Sequence, residues 1–314
     1  MCSMSTRKPV KQPVKKPVKQ PERTRYRGAR IAVGTRHGKE QQFAPAFSAV
    51  LGAQLSTPPD LDTDRFGTFT GERPRVGPAL EAARAKARLA MDVTGLPLGL
   101  ASEASYGPLP GLGWPGHEEI LLFCDDVLGI EVVEGHRGAA GPTASVALSP
   151  GDDLPAPLLA GLPGQALIVR PAEPGSGPTG IEAGIAKGIV KGIVKGITDT
   201  AALHAAIVAA ADISGDGRAI VEPDLRAHHN PQRRRVLVTL ARRLALRLAT
   251  ECPACAAPGF GRVDSDSGLP CRLCGTPTPA PQAEIHGCGA CGHSVHRPVV
   301  EADADPAHCP SCNP

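Results

Sequence analysis

Short apolar runs alternate with stretches of helical periodicity along most of the chain, and this alternation predicts an α/β fold. Glycine or polar residues bound the apolar runs, as is typical of buried strands. The runs span residues 30–34, 98–101, 120–124, 130–133 and 165–170. The third and fourth runs are joined through Gly129 and are predicted to form a hairpin.

Helical periodicity follows these strands. Apolar residues recur at helical spacing from Phe43 to Leu51, and predicted helices also cover residues 81–91, 201–211 and 231–248. Asn230 and Pro231 supply a preferred N-cap and first residue for the last helix. The order of strands and helices predicts a mixed, mostly parallel sheet flanked by helices.

Four Cys-x-x-Cys pairs occupy the last fifth of the chain and hold eight of its ten cysteines. The pairs are Cys252/Cys255, Cys271/Cys274, Cys288/Cys291 and Cys309/Cys312. Two intervening residues let one tight turn present both thiolates to the same ion, and zinc then completes its tetrahedron with a second pair. The spacing is that of zinc ribbons, so we predict two structural Zn²⁺ ions with four cysteine ligands each.

The spacing favours a sequential pairing, in which the first two pairs bind one ion and the last two pairs bind the other. A crossed pairing, first with third and second with fourth, is the open alternative. Disulfides are the alternative to metal, and a catalytic zinc is disfavoured because four thiolates leave no position for water. The nearby histidines are therefore expected on the surface or beside the ligands; they are His286, His293, His296 and His308.

The beginning of the chain is basic and repetitive, with Pro-Val-Lys units from Lys8 to Pro21. Residues 1–30 carry ten Lys or Arg and one Glu, so the rest of the chain is mildly acidic although the whole has a net charge of +3. A segment with so few apolar residues is predicted to be disordered. Such a basic tail could bind nucleic acid through its phosphates, and a solubilising role is the alternative.

The apolar pattern contains no run long enough to cross a membrane and no apolar leader segment. We therefore expect a cytoplasmic protein with reduced cysteines and no membrane association. The predicted organisation is a basic tail (1–28), an α/β domain (29–172), a Gly/Lys/Ile repeat insertion (173–200), the helical part of the α/β domain (201–250) and a zinc-binding tail (251–314).

Polar residues suited to phosphate and metal chemistry cluster at three places in the α/β domain. They are the turn 35–39 after the first strand, a loop rich in Asp, Thr and Gly at 62–72, and Ser102 with Glu103 after a later strand. Because the carboxyl ends of parallel strands meet at one edge of a sheet, we expect these groups to form one pocket. Internal ion pairs between the same groups are the alternative.

Carboxylates of this pocket would hold Mg²⁺, and its cations would bind phosphate groups. The candidate catalytic residues are Lys39, Asp62, Asp64 and Glu103. The candidate substrate-binding residues are Thr35, His37, Arg65, Thr68, Thr70, Lys86, Ser102, Arg226 and Arg233.

A second polar segment, which contains Arg226, precedes the last predicted helix. Three consecutive arginines beginning at Arg233 lie in the first turn of that helix, where the helix dipole disfavours cations. Their position predicts either a bound anion or ion pairs with Glu222 and Asp224.

Several motifs resemble those of a bacterial family, domain of unknown function 6671. The shared motifs are Thr35-Arg-His-Gly-Lys39, Asp62-Thr-Asp-Arg-Phe-Gly-Thr-Phe-Thr-Gly-Glu72, Ala83-Arg-Ala-Lys86, Ser102-Glu103 and Cys309-x-x-Cys312-Asn-Pro314. The resemblance spans most of the chain and implies no particular activity.

The chain is also similar, more distantly, to the inosine-triphosphate pyrophosphatase-like fold. That resemblance places Thr35, Lys39, Lys86 and Glu103 at positions that serve phosphate and metal binding. The chain departs from that fold in three ways: the first turn is one residue shorter, His37 replaces the usual Asn, and tandem aspartates after the strand are absent.

Three functions fit these features. The first is metal-dependent hydrolysis of phosphorylated small molecules or nucleotides. The second is association with nucleic acid through the basic tail, the arginine-rich helix and the zinc ribbons, and the third is a scaffold whose ribbons bind another protein. The clustered carboxylates and hydroxyls favour the first function, because non-specific phosphate binding does not need them.

Overall fold

The computed structural model describes residues 24–67, 77–108, 115–140, 144–172 and 192–314. The predicted substrate-binding residues Thr68 and Thr70 lie outside these ranges. Residues 1–23 of the basic tail and most of the Gly/Lys/Ile repeat insertion lie outside them as well.

The first sheet contains five strands in the order β2-β1-β3-β4-β5. Its elements are β1 (Arg30–Val33), α1 (Glu40–Leu51), β2 (Gln54–Ser56), α2 (Ala79–Thr94), β3 (Leu98–Pro108), β4 (Pro115–Asp125) and β5 (Ile130–Ala139). β1 pairs parallel with β2 and β3, whereas β3, β4 and β5 pair antiparallel. The predicted mixed α/β class is confirmed, but the sheet is not mostly parallel.

The predicted hairpin joins β4 to β5. Gly129 adopts a φ of +64° in its turn, which glycine tolerates better than residues with a Cβ, and Asp125 pairs with Ile130 to close the ladder. Both strands are longer than the apolar runs that predicted them, because polar residues continue the pairing as far as Gly116 and Ala139.

A second, antiparallel sheet follows, with the order β6-β9-β7-β8. Its elements are β6 (Val146–Leu148), α3 (Ala156–Leu159), β7 (Leu167–Pro171), β8 (Val194–Ile197), α4 (Thr200–Asp212) and β9 (Ala219–Pro223). α4 buries Leu203 and Ile207 in a core shared with Val169 and Val221 of the sheet. The end of the predicted repeat thus forms β8 and adds a strand to this sheet.

The chain then returns to the first sheet through α5 (Pro231–Leu248). The apolar stripe of α5, with Leu237 and Leu240, packs with Phe47 of α1 and Leu100 of β3 in one core. Ala101, the next residue of β3, packs with α2 in a separate core. Neighbouring strand residues face opposite sides, so the sheet is covered by α1 and α5 on one face and by α2 on the other.

A third sheet contains β10 (Gly261–Ser267), β11 (Pro281–Gly287) and β12 (Ser294–Pro298), all antiparallel. Most of its side chains are exposed or half-buried. Because little apolar surface is buried between these strands, their stability depends on the cysteine-rich turns at their ends.

The chain enters the first sheet through an ordered turn. Tyr26 is buried, its ring meets that of Phe123 edge-on at 5.2 Å, and its hydroxyl donates to Asp125 Oδ2 at 3.0 Å. The last residues of the predicted basic tail are therefore part of the folded body. In the part of the chain that the structure describes, no helix combines the length and the apolar character needed to cross a membrane.

Candidate functional site

The eight C-terminal cysteines form two groups, which we name the first and the second metal centre. The first metal centre contains Cys252, Cys255, Cys288 and Cys291. The second metal centre contains Cys271, Cys274, Cys309 and Cys312. Within each centre the sulfur atoms all lie within 4.8 Å of one another. The predicted ligands are brought together, but the sequential pairing is wrong and the crossed pairing is present.

The sulfur spacing fits a tetrahedral thiolate shell. The Sγ–Sγ distance is 3.8 Å between Cys252 and Cys291 and 3.7 Å between Cys255 and Cys288. In the second metal centre the corresponding distances are 3.9 and 3.6 Å. Zn–S bonds of about 2.3 Å at tetrahedral angles place sulfur atoms about 3.8 Å apart. A disulfide needs about 2.05 Å, and these cysteines are free.

The third sheet explains the crossed pairing. β10 carries the chain away from the first cysteine pair, and β11 returns antiparallel to it, with Gly261 opposite Gly287. Cys288 follows β11 directly and therefore meets the first pair rather than the second. β12 then leads the chain back to the second pair.

The histidines near the thiolates are not ligands of either centre. His286 Nε2 lies 3.0 Å from a carboxylate oxygen of Glu284, and His296 Nδ1 lies 2.6 Å from one of Asp266. The ring of His293 stacks on Phe260 with centroids 6.0 Å apart. These rings support the third sheet, as expected from the complete cysteine shells.

Two of the predicted pocket segments meet at the carboxyl end of β1, where β3 extends well beyond the point at which β1 stops. Val33 pairs with Leu100, and β3 then continues to Pro108 without β1 beside it. Lys39 precedes α1 at this point, and its Nζ donates to Ser102 Oγ at 3.1 Å and to the Ser102 carbonyl at 3.5 Å. The structure therefore brings the predicted first turn against the predicted Ser102–Glu103 segment.

The described residues supply no carboxylate partner for the ammonium group of Lys39. Among the described residues, no carboxylate oxygen lies within 4.0 Å of its Nζ. The pKa of Lys39 is lowered to about 8, chiefly by burial; the charges of Arg233 and Lys86 also lower it, and those of Glu119 and Glu103 oppose the shift. An anion bound beside Lys39 would relieve this excess of positive charge.

Lys86 and Glu103 form a direct ion pair on the α2 face of the sheet. Lys86 Nζ lies 2.5 Å from Glu103 Oε2, and both side chains are buried. Gly34 permits this close approach of α2 to the end of β1, because a Cβ there would lie 2.2 Å from the Lys86 carbonyl oxygen. These two predicted site residues thus neutralise each other at the edge of the pocket.

Arg233 and Glu119 form a second ion pair, on the α5 face. Arg233 Nε and Nη2 donate to the two Glu119 oxygens at 2.7 and 2.9 Å, and Nη1 donates to the Leu225 carbonyl at 2.8 Å. His117 Nε2 lies 3.2 Å from Glu119 Oε2. Arg233 and Glu119 are completely buried. Burial raises the pKa of Glu119, but the Arg233 charge and these hydrogen bonds outweigh burial and hold it at about 2.

This pairing corrects the expected partners of Arg233. Glu222 lies 3.7 Å from Arg170, and Asp224 binds the side chain of Arg226 at 2.6 and 2.9 Å. Arg226, a predicted substrate-binding residue, is therefore already engaged by a buried carboxylate. The structure favours the internal ion-pair alternative for both arginines.

The aspartates of the predicted loop lie at a cleft next to the first turn. Arg36 Nη1 contacts Asp64 Oδ2 at 2.5 Å and lies 3.7 Å from Asp62 Oδ1. The cleft has a volume of about 730 Å³ and is also lined by Glu40 and Thr57. Glu40 Oε2 and Thr57 Oγ1 are buried without a hydrogen-bond partner among the described residues.

The cleft does not contain a preformed carboxylate shell. Within the described ranges, only the two cysteine centres bring three or more Asp, Glu, His or Cys ligand atoms within 4.8 Å. Mg²⁺ commonly keeps waters and takes one or two carboxylates together with substrate phosphates. The residues present therefore fit Mg²⁺ only as a partner of a bound phosphate.

The remaining predicted residues of the first turn and loop have local roles. Thr35 is buried, and its Oγ1 accepts a hydrogen bond from the His37 amide at 3.3 Å. The Arg65 guanidinium lies 4.7 Å from the centre of the Phe66 ring. His37 stacks on His228 at 4.6 Å, so the first turn contacts the segment that follows β9.

A cavity lies next to the Arg233–Glu119 pair, between β3 and the start of α5. Its volume is about 270 Å³, and Tyr106, Leu158, Leu167 and Leu225 contribute to its largely apolar wall. The Tyr106 ring stacks on His117 at 4.7 Å, and His117 in turn contacts Glu119. Tyr106 therefore connects the wall of the cavity to the buried Arg233–Glu119 pair through His117.

Sequence reasoning missed Glu119, His117 and Tyr106. His117 and Glu119 alternate on one face of β4 just before its apolar run, and Tyr106 pairs with His117 across the ladder. This period-two placement of polar residues before an apolar run was the available signal. It does not identify Arg233 as the partner, because the two residues are far apart in the chain.

Comparison with known proteins identifies a family but no activity. The sequence model of the family described as Domain of unknown function (DUF6671) matches residues 86–314, and the chain belongs to that family. No curated protein and no solved structure matches the chain.

Proposed function

We propose that this family member binds a phosphorylated small molecule, with nucleotides as the first class to test, in the pocket around Lys39 and hydrolyses it with the help of Mg²⁺. The observation that carries the proposal is the Lys39 ammonium group, which has a depressed pKa and no carboxylate partner among the described residues. Lys39 stands directly before α1, where the positive end of the helix dipole also favours an anion.

The other groups have roles that follow from their positions. Phosphate oxygens would accept hydrogen bonds from Lys39 and Ser102, and the largely apolar cavity beside Tyr106 would take the organic part of the molecule. Glu40, Asp62 and Asp64 at the neighbouring cleft are the candidate ligands of Mg²⁺. A bound Mg²⁺ would polarise the phosphoryl group and neutralise its charge.

The metal centres have a structural role in this proposal. Each offers four thiolates, so a bound Zn²⁺ would have no open position for substrate or water. Thiolates remain available for metal in a reducing compartment, which supports the cytoplasm as the place of function. The likeness of Thr35, Lys39, Lys86 and Glu103 to the inosine-triphosphate pyrophosphatase-like pattern remains part of the proposal.

The test combines binding with turnover. Phosphate release is screened over nucleoside triphosphates and sugar phosphates with Mg²⁺, and binding of tripolyphosphate is measured by calorimetry. Losing one charge-assisted hydrogen bond costs about 1.5–3 kcal/mol, so Lys39→Met should weaken tripolyphosphate roughly 10- to 100-fold. Arg242→Met removes an exposed cation of α5 and should leave the affinity unchanged. Equal affinities for the Lys39→Met and wild-type proteins would refute the pocket.

A further inference from the structure

The two metal centres have different surroundings, although their ligand sets are alike. The first metal centre follows α5 after three residues, since Leu248 ends the helix and Cys252 is the first ligand. The second metal centre lies at the other end of the third sheet. This asymmetry bears on what each ion does for the rest of the protein.

The segment just after α5 is hydrogen-bonded to the residues that follow the first cysteine pair. The Thr250 carbonyl accepts from the amides of Gly259 and Phe260 at 3.0 and 3.1 Å. Phe260 is buried in a small core with Cys252 and Cys288. The turn that carries the first cysteine pair therefore folds back onto the helix end.

Arg247 joins three elements at this point. Its Nε donates to the Gly259 carbonyl at 3.0 Å, and its Nη1 donates to the Val133 carbonyl of β5 at 2.9 Å and to Glu134 at 3.2 Å. The Arg247 side chain is only 11% exposed. It thus ties the last turn of α5 to both the first metal centre and the edge of the first sheet.

The first metal centre also packs directly on β5. A Cβ on Gly259 would lie 2.7 Å from Val132, and one on Gly289 would lie 3.6 Å from the Glu131 carbonyl. Glu131 is itself held by Arg84 of α2 at 2.8 Å. The first metal centre therefore packs on β5, the edge strand of the first sheet.

Hydrogen bonds join the two chain segments that carry the ligands of the second metal centre. Arg272 donates to the Ala304 carbonyl at 3.0 Å, and Ala304 donates to the Pro270 carbonyl at 2.8 Å. Asn313 donates to the Cys309 carbonyl at 2.8 Å. Each of these contacts joins residues within 268–280 and 299–314, ranges that hold all four ligands of the second metal centre and none of the first.

We infer that the two ions are unequal: the first metal centre is part of the α/β body and holds α5 in place, whereas the second can lose its ion without disturbing the body. α5 carries Arg233 at one end and Arg247 at the other, so it links the first metal centre to the buried Arg233–Glu119 pair. Metal binding stabilises the segments that supply its ligands. Among the described residues, the segments of the first metal centre are the ones that also pack on α5 and β5.

The test uses one matched pair of variants, Cys255→Ser and Cys274→Ser, in the zinc-loaded full chain. Each removes the exposed second cysteine of its pair. Amide hydrogen exchange is measured by mass spectrometry in α5, β5 and residues 268–314. In Cys255→Ser, exchange in β5 and the last turn of α5 should accelerate by about tenfold or more. In Cys274→Ser, acceleration should be confined to residues 268–280 and 299–314, which hold none of the ligands of the first metal centre.

If Cys255→Ser unfolds and Cys274→Ser does not, the inference is supported. Unfolding of Cys274→Ser would overturn it, as would equal exchange in β5 and α5 for the two variants.

Arg247→Met tests the same inference while keeping all eight cysteine ligands. It should retain two zinc ions yet accelerate exchange in β5 and the last turn of α5, and unchanged exchange there would contradict the inference. These readouts do not depend on tripolyphosphate, so failure of the proposed function would be seen separately.

Discussion

Three cations surround the candidate pocket, and they differ in how their charge is compensated. Arg233 and Lys86 each contact a buried carboxylate, whereas Lys39 contacts only the oxygens of Ser102 among the described residues. Removing a charge from water is unfavourable unless a partner compensates it. Lys39 is therefore the group that an incoming anion would stabilise most.

The first residue-scale prediction concerns pH. Because the pKa of Lys39 is lowered to about 8, its ammonium charge is present below that pH and is lost above it. Tripolyphosphate affinity of the wild type, relative to Lys39→Arg, should therefore fall by up to about tenfold per pH unit above pH 8. Calorimetry between pH 6.5 and 10 measures the ratio, and a ratio independent of pH would contradict the assignment.

A second residue-scale prediction concerns the buried pair. Arg233→Met leaves the Glu119 carboxylate buried without its bidentate partner and should lower the free energy of unfolding by about 3–5 kcal/mol. Adding Glu119→Leu should recover part of that loss, because the uncompensated charge disappears. Urea denaturation of the single and double variants measures these free energies of unfolding. If the losses of the two single variants simply add in the double variant, the prediction is wrong.

The sequence identified both arginine-containing segments but not their partners. Arg233 was predicted to bind a substrate anion or to pair with Glu222 and Asp224, and Arg226 to bind substrate, but Asp224 binds Arg226 instead. The partner of Arg233 comes from β4, a distant strand, and a single sequence gives no register for such a contact. The sequence could predict an ion pair between near neighbours, such as Arg226 and Asp224. It could not predict the pair between Arg233 and Glu119, which are distant in the chain.

At the scale of elements, α5 joins the pocket to the first metal centre. Its beginning, end and apolar stripe were predictable, because an N-cap, a proline and leucines at helical spacing are local signals. The second sheet was harder, since β6 and β8 have only three and four residues and the chain between β7 and β8 is long. Short strands give too few alternations for a periodic pattern.

An element-scale prediction follows from the cap of α5. The Asn230 side chain accepts from the Arg233 amide at 3.0 Å, so Asn230→Ala should cost about 1 kcal/mol of unfolding free energy. Asn230→Asp keeps the acceptor and serves as the control. Denaturant titration compares the two variants, and equal losses would show that the cap is not what stabilises this end of the helix.

At the scale of the whole molecule, the described residues form three sheets, and the third buries so little apolar surface that we expect it to need bound metal. The pairing of the cysteines follows from the polar strands β10 and β11, whose exposed side chains lack the apolar alternation that predicts strands. The spacing of the cysteines therefore favoured pairing of neighbouring Cys-x-x-Cys motifs. β11 instead runs antiparallel to β10 and brings the third motif to the first, which gives the crossed pairing.

The whole-molecule prediction is that the folded chain binds two metal ions with crossed ligands. In cadmium-substituted protein, scalar couplings should connect the β-protons of Cys252 and Cys288 to one ion and those of Cys271 and Cys309 to the other. Chelation should unfold the third sheet, because its strands bury little apolar surface. Couplings from Cys252 and Cys271 to a shared ion would restore the sequential pairing.

Amine labelling tests whether a phosphorylated ligand binds beside Lys39. A lysine with a pKa of about 8 has a larger neutral fraction at pH 7.5 than ordinary lysines, so Lys39 should react readily with an acetylating reagent. Labelling is quantified by peptide mass spectrometry with and without tripolyphosphate, and the lysines of the basic tail serve as internal controls. Tripolyphosphate should suppress labelling of Lys39 more than that of the tail lysines. Labelling of Lys39 that is unchanged at saturating tripolyphosphate would contradict it.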